Sequence, residues 1–70
     1  MHILPGQKYK LLKYTKRSVG MHWTATVKYL IANDYGKYGG QWEFRNPENG
    51  FTTFFFPNEV EPFDGGNEGF

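Results

Sequence analysis

Residues 41–56 read QWEFRNPENGFTTFFF, and their pattern decides the fold class. Trp42 and Phe44 fall on one side of an extended chain, Gln41, Glu43 and Arg45 on the other, and this period of two marks a half-buried strand. NPENG (46–50) is turn chemistry, because Pro47 presets its φ for the second turn position and Gly50 can leave the turn with φ > 0. FTTFFF (51–56) supplies the returning strand, so 41–46 and 51–56 predict an antiparallel hairpin. Thr52 and Thr53 do not fix which side faces in. We take Phe54 and Phe56 inward, which turns Phe51 or Phe55 outward. Pro57 ends the ladder, since it has no N–H to donate.

Upstream, NDYGKYGG (33–40) combines three glycines with Asn33-Asp34 and predicts a loop. Before it, HWTATVKYLIA (22–32) alternates almost strictly, with Trp23, Ala25, Val27, Tyr29 and Ile31 on one face, and predicts a strand. KYKLLKY (8–14) predicts a first strand near 7–13. Tyr9 and Leu11 share one face and Leu12 and Tyr14 the other, which a bulge near Leu11-Leu12 would reconcile. A helix over 7–14 is the competing reading, too short to hold without docking. A last strand is expected at 60–63. The chain thus reads as one domain over 1–63 with a core of Leu11, Trp23, Val27, Ile31, Trp42, Phe44, Phe54 and Val60. DGGNEGF (64–70) reads as a disordered Gly-rich tail.

The 70 residues carry no cysteine, which excludes disulfides, thiolate metal sites and cysteine nucleophiles. Ile, Leu and Val together number 9 against 14 aromatics, so the core must be built largely from rings, which suit pleated surfaces. The net charge of +1 conceals an asymmetry. Residues 1–38 hold seven bases and Asp34, for +6; residues 39–70 hold Arg45 and six carboxylates, for −5. Either the halves screen one another across the fold, or a basic face and an acidic one are each open to a partner. No apolar run approaches the roughly 20 residues that span a bilayer, so no membrane association and a soluble, cytoplasmic protein are expected.

FPNEVEPF (56–63) resembles the end of SH3 domains, where a Phe-Pro pair opens a single 3₁₀ turn before a short final strand. GGQWEF (39–44) resembles the glycine-tryptophan-tryptophan start of the third SH3 strand. The resemblance implies an all-β, small five-stranded SH3-like barrel. Residues 13–21 then form the first long loop, 33–40 the second, 46–50 the distal hairpin, 57–59 the 3₁₀ turn and 60–63 the last strand. Gln41 stands in place of the first tryptophan, Trp42 matches the second, and Glu59 occupies the place of the terminal tyrosine. The alanine-leucine-tyrosine-aspartate-tyrosine start is absent, and the first loop is basic where that of SH3 domains is usually acidic. Binding of proline-rich peptides therefore does not follow from the resemblance, and a fold alone gives no function.

Catalytic constellations are scarce. Ser18 is the only serine, four residues before His22 in an expected loop; such proximity in sequence is far more often coincidence than a nucleophile with its base. Glu59 and Glu61, two apart on the last strand, read as a solvated rim. His2 and His22 lack metal-ligand spacing, and GKYGG (36–40) lacks the lysine-serine pair of a phosphate loop. We expect neither enzyme, metal nor cofactor. Binding fits better: Tyr14, Lys16 and Arg17 in the first loop, Tyr35, Lys37 and Tyr38 in the second, and an outward Phe55 form the candidate contact surface. Tyr and Arg are enriched where protein interfaces are strongest, although loop tyrosines also simply cover the ends of small barrels. The expected function is a protein-interaction module, a small accessory or inhibitory protein of the kind phages encode, monomeric or weakly dimeric. The alternative is a single-stranded nucleic-acid binder whose bases track phosphates while its rings stack. The six carboxylates of the second half weigh against it, since they repel a polyanion within a Debye length.

Overall fold

The computed structural model describes residues 2–64, the side chains of Lys37 and Tyr38 excepted. Five strands, β1 (Lys8–Leu11), β2 (Leu30–Tyr38), β3 (Gln41–Arg45), β4 (Thr52–Phe55) and β5 (Val60–Pro62), form one antiparallel sheet in the order β4-β3-β2-β1-β5. A helix, α1 (Lys13–Val19), follows β1. Single 3₁₀ turns occupy Trp23–Ala25 and Pro57–Glu59. The hairpin read from 41–56 is present. Its turn is closed by Asn46 N–H donating to the Phe51 carbonyl at 2.7 Å, and Gly50 has φ +78°. The 3₁₀ turn at 57–59 and the last strand also fall where expected.

Two segments differ. The strand expected over 22–32 begins only at Leu30, because local hydrogen bonds hold its first half in a tight turn. His22 Nδ1 lies 2.8 Å from the Thr24 hydroxyl and accepts the Thr24 N–H, and the Thr26 hydroxyl donates to the Trp23 carbonyl at 2.9 Å. Short polar side chains compete with a sheet ladder in this way. In exchange, β2 runs through the expected loop 33–40. Its register slips between Ala32 and Asp34 and again between Tyr35 and Tyr38, so Asn33, and then Gly36 with Lys37, are taken up as irregularities in the ladder. The turn is reduced to Gly39-Gly40, both at positive φ, between the paired Tyr38 and Gln41.

The first long loop is likewise replaced, by α1. The change of face after Leu11 comes from the switch from strand to helix, not from a bulge. Thr15 and Val19, one helical turn apart, face the core side, and Lys16 and Arg17 in the last turn complement the helix dipole.

The core is Ile3, Tyr9, Leu11, Leu30, Ala32, Phe44, Phe55 and Val60. Leu11, Phe44 and Val60 were expected, and Trp23, Val27 and Trp42 pack partly buried against it. Ile31 and Phe54 were also expected but are only half-buried, because β2 and β4 each present the opposite parity: Leu30 and Ala32 point in from one, Phe55 from the other. Phe56, taken as inward, is exposed, and so is Phe51. The tail expected over 64–70 lies, Asp64 apart, outside the described residues. Among the described residues no helix is long and apolar enough to cross a membrane.

Candidate functional site

The Gly39-Gly40 turn sets β3 directly against the end of β2, and Tyr35 comes opposite Trp42 in register. Their rings lie 5.4 Å apart at 52°. A Cβ at Gly40 would sit 3.7 Å from the Tyr35 hydroxyl, an ordinary contact, so it is the φ of +92° and not crowding by the phenol that calls for glycine there. Asp34 Oδ1 accepts the Tyr35 N–H at 2.9 Å and steadies the bulged backbone. Tyr35 stays 57% exposed, while Trp42 is half-buried against the core.

The N-terminal segment completes the surroundings of this pair. Gly6 N–H donates to the Ala32 carbonyl at 2.7 Å, and Leu4 N–H donates to the hydroxyl of the buried Tyr9 at 2.8 Å. These bonds pin residues 4–6 beside β2, sink Ile3 into the core and bring His2 to the surface beside Tyr35. The result is an open cleft of about 320 Å³ lined by His2, Ile3, Tyr35, Trp42 and Pro57.

Pro57 begins the second 3₁₀ turn, and that turn carries α1. Leu12 N–H and the Thr15 hydroxyl both donate to the Glu59 carbonyl, at 3.1 and 2.8 Å, and the Tyr14 hydroxyl donates to the Asn58 carbonyl. The cleft and the helix are therefore mounted on successive residues of one short element. Glu59 turns its carboxylate back to the Phe56 N–H at 2.8 Å, so it caps the turn instead of forming a rim with Glu61, which sits in β5 opposite Lys10. On α1, Arg17 lies opposite the buried Thr15 and Val19, with Lys13 and Tyr14 to either side of it and Lys16 adjoining. All four are exposed, Tyr14 by 54%. None of these three bases meets a carboxylate among the described residues.

Of the residues expected to form the contact surface, Tyr14, Lys16, Arg17 and Tyr35 are thus exposed and connected through residues 57–59. Phe55 is not part of it: at 6% exposure it is core, 6.3 Å from the Phe44 ring. Lys37 and Tyr38 lie in β2, but their side chains are outside the described set. Sequence reasoning missed His2, Ile3 and Pro57 as lining residues and read Trp42 as core alone. Gly39-Gly40 as a two-residue turn pairs Tyr38 with Gln41, but regular pairing from there would set Tyr35 opposite Phe44. Its place opposite Trp42 depends on the register shift between Tyr35 and Tyr38, for which the sequence carries no signal.

Two smaller aromatic groups lie elsewhere. Trp23 meets His22 and the exposed Phe51 at 5.3 and 6.1 Å, and Tyr29 stacks on Phe63 at 5.1 Å beneath the Lys8 ammonium. His22 engages Thr24, as above, and Ser18 is exposed on α1. No group of three or more metal-ligating side chains occurs among the described residues. No family model matches the chain, and no curated protein or solved structure matches it significantly.

Proposed function

We propose that the chain is a non-enzymatic protein-interaction module on an SH3-like barrel, a small accessory or inhibitory protein that occupies the surface of a larger one. The barrel reading draws support from β1 pairing with both β2 and β5, and from the 3₁₀ turn that separates β4 from β5. The functional reading rests on one observation: an apolar cleft walled by the exposed Tyr35 and by Trp42 stands beside an exposed helix bearing Tyr14 and Arg17. Rings and guanidinium groups of this kind dominate protein interfaces.

Tyr35→Ala provides the test. Truncating a residue so exposed should change stability by well under about 1 kcal/mol. Loss of an interface anchor typically costs about 2 kcal/mol or more, roughly thirtyfold in affinity. Affinity capture from an extract of the source cells should retain a protein on the wild-type chain and lose it on Tyr35→Ala, with the two denaturation midpoints alike. Retention unchanged by the substitution would move the contact away from the cleft. Titration of labelled single-stranded DNA and RNA at low salt tests the nucleic-acid alternative, which tight binding there would favour.

A further inference from the structure

We infer that the partner's contact segment is an extended peptide which seats one apolar or aromatic side chain in the cleft and lays acidic residues along α1. This inference rests on the protein-interaction reading and specifies the chemistry of its partner.

Size favours a side chain as the occupant. At about 320 Å³ and open to solvent, the cleft lies at the bottom of the range of small-molecule sites, about 300–1,000 Å³, which enclose most of their ligand. Its walls are an aliphatic residue, two rings and a proline, with His2 at the surface. Tyr35 and Trp42 touch each other at 52°, so they offer an angled apolar seat and not two parallel plates for a flat ring.

Charge selects what flanks that anchor. Lys13, Lys16 and Arg17 present three cations on one short helix, and none has a carboxylate partner among the described residues. The nearest acid in the supporting turn, Glu59, is committed to the Phe56 N–H. Elsewhere the basic half does meet the acidic one, as where Lys10 stands opposite Glu61. Among the described residues the imbalance of the sequence therefore remains uncompensated at α1, which is joined to the cleft through residues 57–59.

Connectivity sets the spacing. Pro57 lines the cleft and the carbonyl of Asn58, the next residue, accepts the Tyr14 hydroxyl, so a chain leaving the cleft on the Pro57 side has the helix within a few residues at about 3.3 Å each. A peptide carries its charges only where they face α1. A nucleic-acid strand carries one at every phosphate, more than three bases on one short helix can match, and would meet the exposed Glu48 elsewhere, which favours the peptide.

Selection of a random dodecapeptide display library on the immobilised chain tests this directly. The expected enrichment is an aromatic or large aliphatic residue followed or preceded, always on the same side, by Asp or Glu. Selection on Lys16→Glu/Arg17→Glu should keep the apolar residue and lose the acids, and Tyr35→Ala should lose the apolar residue. A synthetic enriched peptide should bind the charge-reversed chain about tenfold or more weakly, with most of the difference in association and fading as salt is added. Lys16→Gln/Arg17→Gln, which reverses no charge at the helix end, should lie between the two; far-UV circular dichroism confirms that each variant is folded. Enrichment of apolar residues without acids would overturn the inferred chemistry and leave the interaction reading standing. No enrichment at all would overturn the linear segment, while the cell-extract capture still decides whether a protein is bound. Oligothymidine displacing the enriched peptides at equal concentration would replace them with nucleic acid as the ligand of this surface.

Discussion

Gly50 leaves the β3–β4 turn at φ +78°, with its amide 2.9 Å from the Asn46 carbonyl. A Cβ built on it would meet nothing within 4 Å, so any penalty for a side chain there comes from the backbone alone. That separates two effects which are usually mixed. A β-branched residue is poorly accommodated at positive φ, whereas asparagine enters this region readily. Gly50→Val should therefore cost on the order of 1–2 kcal/mol and Gly50→Asn distinctly less, read as a shift in the denaturant midpoint at constant slope. Equal midpoints for the two variants would mean that the turn relaxes into another conformation. Gly50 was readable from the sequence because Asn46, Pro47 and Gly50 each restrict the backbone locally. Tyr35 was readable as exposed, but its partner across the cleft was not, since that depends on where the neighbouring strand turns.

The elements that departed from expectation did so for two different reasons. HWTATVKYLIA satisfies the strand period, yet the His22 and Thr26 side chains bond nearby backbone and Thr24 bonds the His22 ring, and that local option wins from 22 to 26. NDYGKYGG has the composition of a loop, yet a long strand absorbs Asn33, and then Gly36 with Lys37, as irregularities and needs only two glycines to turn. Periodicity cannot weigh either effect, because neither changes the spacing of apolar residues. The parity of β2 departs from simple alternation as well: Leu30 is 1% exposed and Ile31 half-buried beside it. The two differ little in chemistry, so a paired truncation isolates burial. Leu30→Ala should cost about 2–5 kcal/mol, enough to unfold a domain of this size, and Ile31→Ala clearly less. The check is urea denaturation at low temperature, and equal costs would restore the parity that simple alternation suggests. The strands and turn of the hairpin, by contrast, were legible, since turn and strand signals in QWEFRNPENGFTTFFF point the same way. Thr52 and Thr53 left the parity of β4 open, and Phe55 is the residue that faces in.

At the scale of the whole molecule, contacts fall into near and far groups. β2, β3 and β4 are successive hairpins, each closed over a short stretch of chain. The other group is remote: β5 returns to pair with β1, and α1 hangs on the carbonyls of Asn58 and Glu59, contacts 44 residues apart in sequence. Loop-closure entropy grows with chain length, and the far group gains nothing until that cost has been met. The hairpins should therefore form first and dock β1, α1 and β5 late. Val60, buried in β5 and paired with Leu11, reports on the late step, and Gly50 on the early one. Val60→Ala should lose about 1–3 kcal/mol. Most of that should appear as faster unfolding, with a φ-value below about 0.3. Gly50→Val should instead slow folding, with a φ-value of about 0.5 or higher, because the turn that it strains is already closed at the barrier. Stopped-flow chevrons of both variants decide the order. If Val60→Ala slows folding as much as Gly50→Val does, closure of β1 on β5 belongs to the nucleus. The cleft and helix, which share residues 57–59 with that closure, would then assemble together with the hairpins rather than after them.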